Sequence, residues 1–238
     1  MTLLALENVS KTYYRGGRHR LPILRDVSLH VGAGDLVAVV ADPTAGKTTL
    51  LRVAAGLESP NAGTVQLAGE PLPAANDLDP RIALVTRTAP PRETTRLHMT
   101  DFVALALLDR VPPREARQRT AAILDAFEIG ALADSTWSEL SDVERALVRI
   151  AQAVIRRPAL LLLDDPVFGL GIAHTETVLS QLREAARTHA TAALMTVAHP
   201  SEALHADRLL TLNAGTLMET SREPARGQLV DFPSGRVS

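Results

Sequence analysis

Leu36-Val37-Ala38-Val39-Val40-Ala41 is an unbroken apolar run rich in β-branched residues, followed a few positions later by Gly46-Lys47-Thr48 and a helical pattern from Thr48 to Gly56. A strand that is apolar at every position has both faces covered, as in a parallel sheet enclosed between layers. Gly56 and the turn cluster Ser59-Pro60-Asn61-Ala62-Gly63 stop the helix. Strand, glycine-containing loop and helix in this order point to an α/β architecture.

The rest of the chain extends that pattern. Leu4 to Val9 and Ile23 to Val31 read as strands of an antiparallel N-terminal portion, separated by the polar loop Arg15 to Arg20. Gly63 to Ala68 and Ile82 to Val85 supply short strands. From Thr100 to Arg157 the pattern is helical, with Pro112-Pro113 opening an amphipathic stretch through Phe127. Buried strand returns at Leu160 to Leu163 and Ala192 to Val197, with a helix from Thr175 to His189 between them and a late strand at Arg208 to Leu212. The expected fold is a doubly wound α/β core carrying an inserted helical subdomain at about residues 88–158. The polar segment from Ser221 onward, with its Pro, Gly and Arg, reads as a poorly ordered tail at 221–238.

A Gly-Lys-Thr between a buried strand and a helix has a specific physical use. Backbone N–H groups and the helix N-terminus attract anions, lysine neutralises terminal phosphates, and a threonine hydroxyl can ligate magnesium. Thr44, Ala45, Gly46, Lys47, Thr48 and Thr49 are the candidate phosphate-binding residues, with Thr48 also a candidate magnesium ligand. Lys11 and Lys47 are the only lysines, against a large arginine content, which makes Lys47 more telling. Alanine stands at position 41, where such loops usually carry glycine. If positive φ were required at Ala41 or Thr44, a Cβ there would cost about 1 kcal/mol or more. Asp42 would place a carboxylate near the phosphates unless it turned to solvent.

Composition narrows the remaining options. A formal charge of −2 and 3% aromatic residues give neither the basic field nor the stacking platforms used to bind nucleic acid, so no nucleic-acid partner is expected. The absence of cysteine removes disulfides, thiolate catalysis and thiolate metal sites, and fits a reducing compartment. The apolar runs fall far short of the about 18 residues that cross a bilayer, and nothing at the start resembles an export signal. A cytoplasmic location follows, with any membrane role exerted through a partner.

Asp164-Asp165 closes the apolar run Leu160-Leu161-Leu162-Leu163. Two acids after a buried strand often only face solvent, but their distance from the phosphate loop favours a functional origin. Together the motifs resemble an ATP-binding-cassette (ABC) transporter nucleotide-binding subunit from Leu6 to about Met218. Asn8-Val9-Ser10-Lys11-Thr12-Tyr13 and Leu24-Arg25-Asp26-Val27-Ser28-Leu29 are similar to cassettes of the lipoprotein-releasing and macrolide-export type.

The resemblance implies a P-loop NTPase fold with a RecA-like core, and ATP with Mg2+ as ligands. Asp164 would hold magnesium, while Asp165, one methylene shorter than the family's glutamate, would assist water. His199 would touch the γ-phosphate. Tyr13 would stack on adenine, although the adjacent Tyr14 leaves the register open. Arg87 stands where relatives carry glutamine; a guanidinium cannot coordinate a cation but could contact phosphate. The Thr88 to Arg96 segment, with Pro90-Pro91, is polar where relatives are apolar and aromatic, which would alter a docking surface.

The signature segment reads Leu140-Ser141-Asp142-Val143-Glu144 where relatives have Leu-Ser-Gly-Gly-Gln. Ser141 would face a phosphate bound by an opposing subunit, which Asp142 would repel by roughly 4 kcal/mol at about 4 Å and an effective dielectric of about 20. Ser141 with Glu144 also forms a good helix capping box, the simpler use of these residues. Gly169-Leu170-Gly171 replaces Gly-Leu-Asp. The implied partners are a transmembrane permease and a second cassette, identical or not. The expected function is an ATP-binding transporter subunit, at the inner face of the membrane, with weak or absent turnover. The alternative is a pseudo-ATPase forming the structural or regulatory half of a heterodimer. A small-molecule P-loop kinase explains Gly-Lys-Thr but not the flanking motifs.

Overall fold

The computed structural model describes residues 1–15, 19–87, 94–108 and 110–220. The tail expected at 221–238, and most of the polar segment containing Pro90-Pro91, lie outside the described residues.

The continuous apolar runs become the interior strands of a six-stranded sheet. Strands β1 (Thr2–Arg15) and β2 (His19–Gly32) precede β3 (Leu36–Val40), which leads into helix α1 (Lys47–Ala54). Next come β4 (Ala62–Leu67), β5 (Glu70–Pro71) and β6 (Ile82–Val85), then helices α2 (Met99–Ala104), α3 (Pro113–Ala126) and α4 (Asp142–Val154). The chain closes with β7 (Leu160–Asp164), α5 (Ile172–Thr188), β8 (Ala192–Val197), β9 (Arg208–Asn213) and β10 (Thr216–Glu219). The six-stranded sheet has the order β10-β9-β3-β8-β7-β6, parallel except for the β9–β10 pair. A four-stranded antiparallel sheet, β2-β1-β4-β5, forms the second layer.

Period-two alternation explains how β3 serves two cores. Leu36 and Ala38 pack with the side chains of α2 to α5, whereas Val37 and Val39 pack with α1 and the antiparallel sheet. In β7, Leu161 and Leu163 join the first cluster and Leu160 and Leu162 the second. Both faces are buried, so no polar alternation survives in these strands. The parallel register Val40↔Val197 and Asp164↔Thr196 brings the C-terminal ends of β3, β7 and β8 to one edge, where a doubly wound sheet presents its crevice.

Some boundaries differ from those read in the sequence. The first two strands run well beyond their apolar cores, because backbone pairing continues through Lys11↔Leu24 and Tyr13↔Leu21 with irregularities that absorb the broken alternation. The strand β10 carries little apolar pattern. Its signal was the two-residue turn Ala214-Gly215, with φ of 47° and 83°, the backbone of a tight hairpin. Pro113 does open α3, where its missing N–H costs nothing.

Candidate functional site

The loop between β3 and α1 turns on one residue. Gly46 has φ 105° and directly precedes the first turn of α1, whose N-terminus is capped by no side chain and carries no acid. A Cβ built on Gly46 would lie 2.6 Å from Ile23 Cγ2, so glycine is required both for the backbone and for the close approach of β2. Neither Ala41 nor Thr44 is among the residues with positive φ. The conditional penalty at those positions therefore does not arise. The Ala41 N–H donates to Val197 O at 3.2 Å and the residue is buried, an ordinary place for a small side chain. Asp42 is exposed, and its carbonyl accepts from Ala45 N–H at 3.0 Å. Thr44 is exposed and Ala45 half-buried.

At the first position of α1, Lys47 is only 4% exposed. Its ammonium donates to Asp165 Oδ1 at 2.8 Å, with Val197 O at 3.5 Å. Next to it, the Thr48 hydroxyl donates to Asp164 Oδ2 at 2.9 Å. Asp164 Oδ1 accepts from the Thr196 hydroxyl at 3.0 Å, and the Asp165 N–H donates to Thr196 O at 3.1 Å. Strand β8 thus orients both acids at the end of β7. Thr196 lies outside the residues expected at the site; its sequence signal is a hydroxyl in an otherwise apolar strand. Asp165 has φ 48°, a left-handed conformation that aspartate tolerates better than most side chains. It is buried, with Lys47 as its close partner.

Arg87 approaches from the end of β6. Its Nη1 lies 3.8 Å from Asp165 Oδ2, and its guanidinium carbon sits 3.6 Å from the centroid of the Phe168 ring. Where the sequence allowed a direct phosphate contact, the side chain here engages a carboxylate and an aromatic face. The reason is local: the turn after Asp165 places Phe168 beneath the guanidinium, with the Phe168 N–H donating to Asp165 O at 3.2 Å.

The remaining candidates lie around this centre. The half-buried Tyr13 donates its hydroxyl to Glu58 Oε2 at 2.6 Å and lies 3.4 Å from Thr49 Oγ1, which sets it beside α1. Burial first, then the Glu58 hydrogen bond, raise the Tyr13 pKa. Tyr14 is exposed, with Arg20 near its ring. His199 follows β8 and is exposed; its N–H and that of Ala198 donate to Glu202 Oε2 at 3.0 and 2.8 Å. Ser141 caps α4. Its N–H donates to Glu144 Oε2 at 2.7 Å and its hydroxyl accepts from Glu144 N–H at 3.3 Å, while Asp142 pairs with Arg145 at 3.1 Å. The Ser141 side chain and then its backbone lower the Glu144 pKa.

Lys47, Thr48, Asp164 and Asp165 thus converge at the uncapped N-terminus of α1. Hydroxyl and carboxylate oxygens are the hard donors magnesium takes, with phosphate oxygens and water completing its shell. Among the described residues no group of three histidines or acids could hold a metal alone. The donor set therefore fits a magnesium ion that arrives with a phosphate ligand.

Comparisons with known proteins bear on the family and the fold. The ABC transporter family profile matches residues 24–168. The lipoprotein-releasing system ATP-binding protein LolD of Pseudomonas syringae pv. tomato is 33% identical over 225 residues, covering 91% of this chain and 97% of that protein. The macrolide export ATP-binding/permease protein MacB of Rhodopirellula baltica is 31% identical over 89% of this chain, which spans 32% of its length. A solved ATP-binding cassette, dimeric in a post-hydrolysis state bound to ADP and Pi, superposes with TM-score 0.74 at 23% identity over 92% of this chain and 98% of that one. That likeness bears on the fold, which is the cassette α/β fold with its antiparallel N-terminal sheet.

Proposed function

This chain belongs to the ABC transporter family, and on that premise we propose that it is an ATP-binding subunit coupling MgATP binding, with slow hydrolysis, to a membrane permease. The observation that carries this reading is the 2.9 Å contact of Thr48 with Asp164, beside Lys47 at the uncapped end of α1. Lys47 would neutralise the terminal phosphates, the backbone N–H groups of the Gly46 to Thr49 segment would hold phosphate oxygens, and Thr48 and Asp164 would hold magnesium. The bound metal would supply charge neutralisation at the phosphates. Tyr13, beside α1, would stack on the adenine ring. His199 would reach the γ-phosphate and Ser141 that of an opposing subunit. The ATP-binding domain would span residues 1–220, with a helical subdomain at about 88–158.

Slow turnover follows from Asp165. Its carboxylate is shorter than glutamate and is held by Lys47 at 2.8 Å, so it must be released before it can orient water. The relatives' names support a permease partner, and the dimeric cassette supports pairing with a second cassette. Among the described residues no helix is long and apolar enough to cross a membrane, consistent with a peripheral position on the inner face through that permease. Nothing in these relatives favours a purely structural role. Calorimetry of the isolated chain tests the reading: MgATP binding should be saturable and lost in Lys47→Ala, and Asp165→Glu should raise turnover. Absence of binding by the folded wild-type chain would refute it.

A further inference from the structure

We propose that Arg87 is a positioning residue that takes over the Asp165 carboxylate when Lys47 turns to a nucleotide, an inference that rests on the MgATP reading above. The two oxygens of Asp165 face different cations: Oδ1 is 2.8 Å from Lys47 Nζ and Oδ2 is 3.8 Å from Arg87 Nη1. Lys47 has three donors, but a triphosphate at the start of α1 would draw its buried ammonium outward and lengthen that contact, and Asp165 is buried, where an ionised carboxylate left without a close partner is unfavourable. Among the described residues Arg87 is the other cation within ion-pair distance of it. Its guanidinium is anchored over the Phe168 ring at 3.6 Å, and a movement of about 1 Å would bring Nη1 to hydrogen-bonding distance of Oδ2. Phe168 lies on the turn that begins at Asp165, so cation and carboxylate are tied to the same short segment. The transfer keeps the carboxylate charge compensated while the nucleotide is bound. Arg87 thereby lowers the repulsion that Asp165 would otherwise exert on a triphosphate.

The test is a double-mutant cycle on binding of a non-hydrolysable ATP analogue with magnesium, measured by calorimetry on the full chain. Arg87→Ala should raise Kd about tenfold in the wild-type background and by less than about twofold in the Asp165→Asn background, where no charge needs a new partner. Arg87→Lys, which keeps the cation, should recover most of the loss, which a merely structural defect would not allow. Equal losses in both backgrounds would place Arg87 on the phosphates and overturn the hand-over, as would no loss in either. If the wild-type chain binds no analogue, the triphosphate reading itself fails and the hand-over falls with it; binding indifferent to Arg87 refutes the hand-over alone.

Discussion

Lys47 and Asp165, 118 positions apart in the chain, meet in a buried ion pair with Nζ 2.8 Å from Oδ1. A cation at the start of a helix and an anion at the end of a neighbouring strand are both withdrawn from water, where an unpaired charge is costly. Replacing Lys47 with methionine leaves Asp165, among the described residues, with the more distant Arg87 as its cation and should destabilise the fold by about 3 kcal/mol. Adding Asp165→Asn should return much of that loss. Denaturant unfolding of the two singles and the double measures the coupling; strictly additive effects would contradict an interdependent pair.

Gly46→Ala should destabilise by about 1 kcal/mol or more, since it meets both a positive φ and Ile23 at 2.6 Å. Ala41→Gly should bring no gain. Ala41 is not in a left-handed conformation, so glycine there only enlarges the freedom of the unfolded chain, by up to about 1 kcal/mol. Thermal melts of both variants decide the point, and a stabilised Ala41→Gly would show that the loop is strained at that position.

The α4 cap should be visible in the pH dependence of stability. The Glu144 pKa is lowered in the folded protein, first by the Ser141 side chain and then by its backbone. The contribution is therefore present above the ordinary carboxylate value of 4.5 and lost as pH falls through the lowered folded value. Ser141→Ala should cost about 1 kcal/mol near neutrality, and the gap to wild type should narrow in acid. An unchanged gap from pH 7 to pH 3 would mean that Glu144 takes no part.

Adenine recognition should separate the two tyrosines. Tyr13→Ala should weaken MgATP binding about tenfold and leave tripolyphosphate binding nearly unaltered, because stacking involves only the base. Tyr14→Ala should affect neither ligand. Competition measurements with the two ligands report the difference, and a larger effect at Tyr14 would shift the contact by one residue.

Magnesium dependence offers a separate check. Asp164→Asn and Thr48→Val should each reduce the gain in ATP affinity that magnesium confers, while binding of ATP in excess EDTA should change less. If the magnesium gain survives both substitutions intact, the ion is held elsewhere.

Local regularities made much of this protein legible. The apolar runs Leu36 to Ala41 and Leu160 to Leu163 announced strands buried on both faces because no polar side chain interrupts them. Gly46-Lys47-Thr48 announced a helix start with free N–H groups, because helix ends leave such groups without partners. The Ser141 and Glu144 spacing announced the α4 cap, which needs only one turn of backbone to form. Strand lengths in the first hairpin were harder to read, since cross-strand pairing continues through Lys11, Thr12 and Tyr13 with no apolar pattern to mark it.

From the residues alone came the layered α/β architecture, the glycine-containing loop before α1 and the pair of acids at the end of β7, because each depends on the chemistry of near neighbours. The fold alone settled which charge meets which: Lys47 with Asp165, Thr48 with Asp164, Arg87 over Phe168, and Tyr13 rather than Tyr14 beside α1. The first two pairings arise from the register of β3, β7 and β8 in one sheet, and the others from the placement of β6 beside β7 and of β1 beside α1. Distances between strand ends are a property of the packed sheet, which no local stretch of sequence encodes.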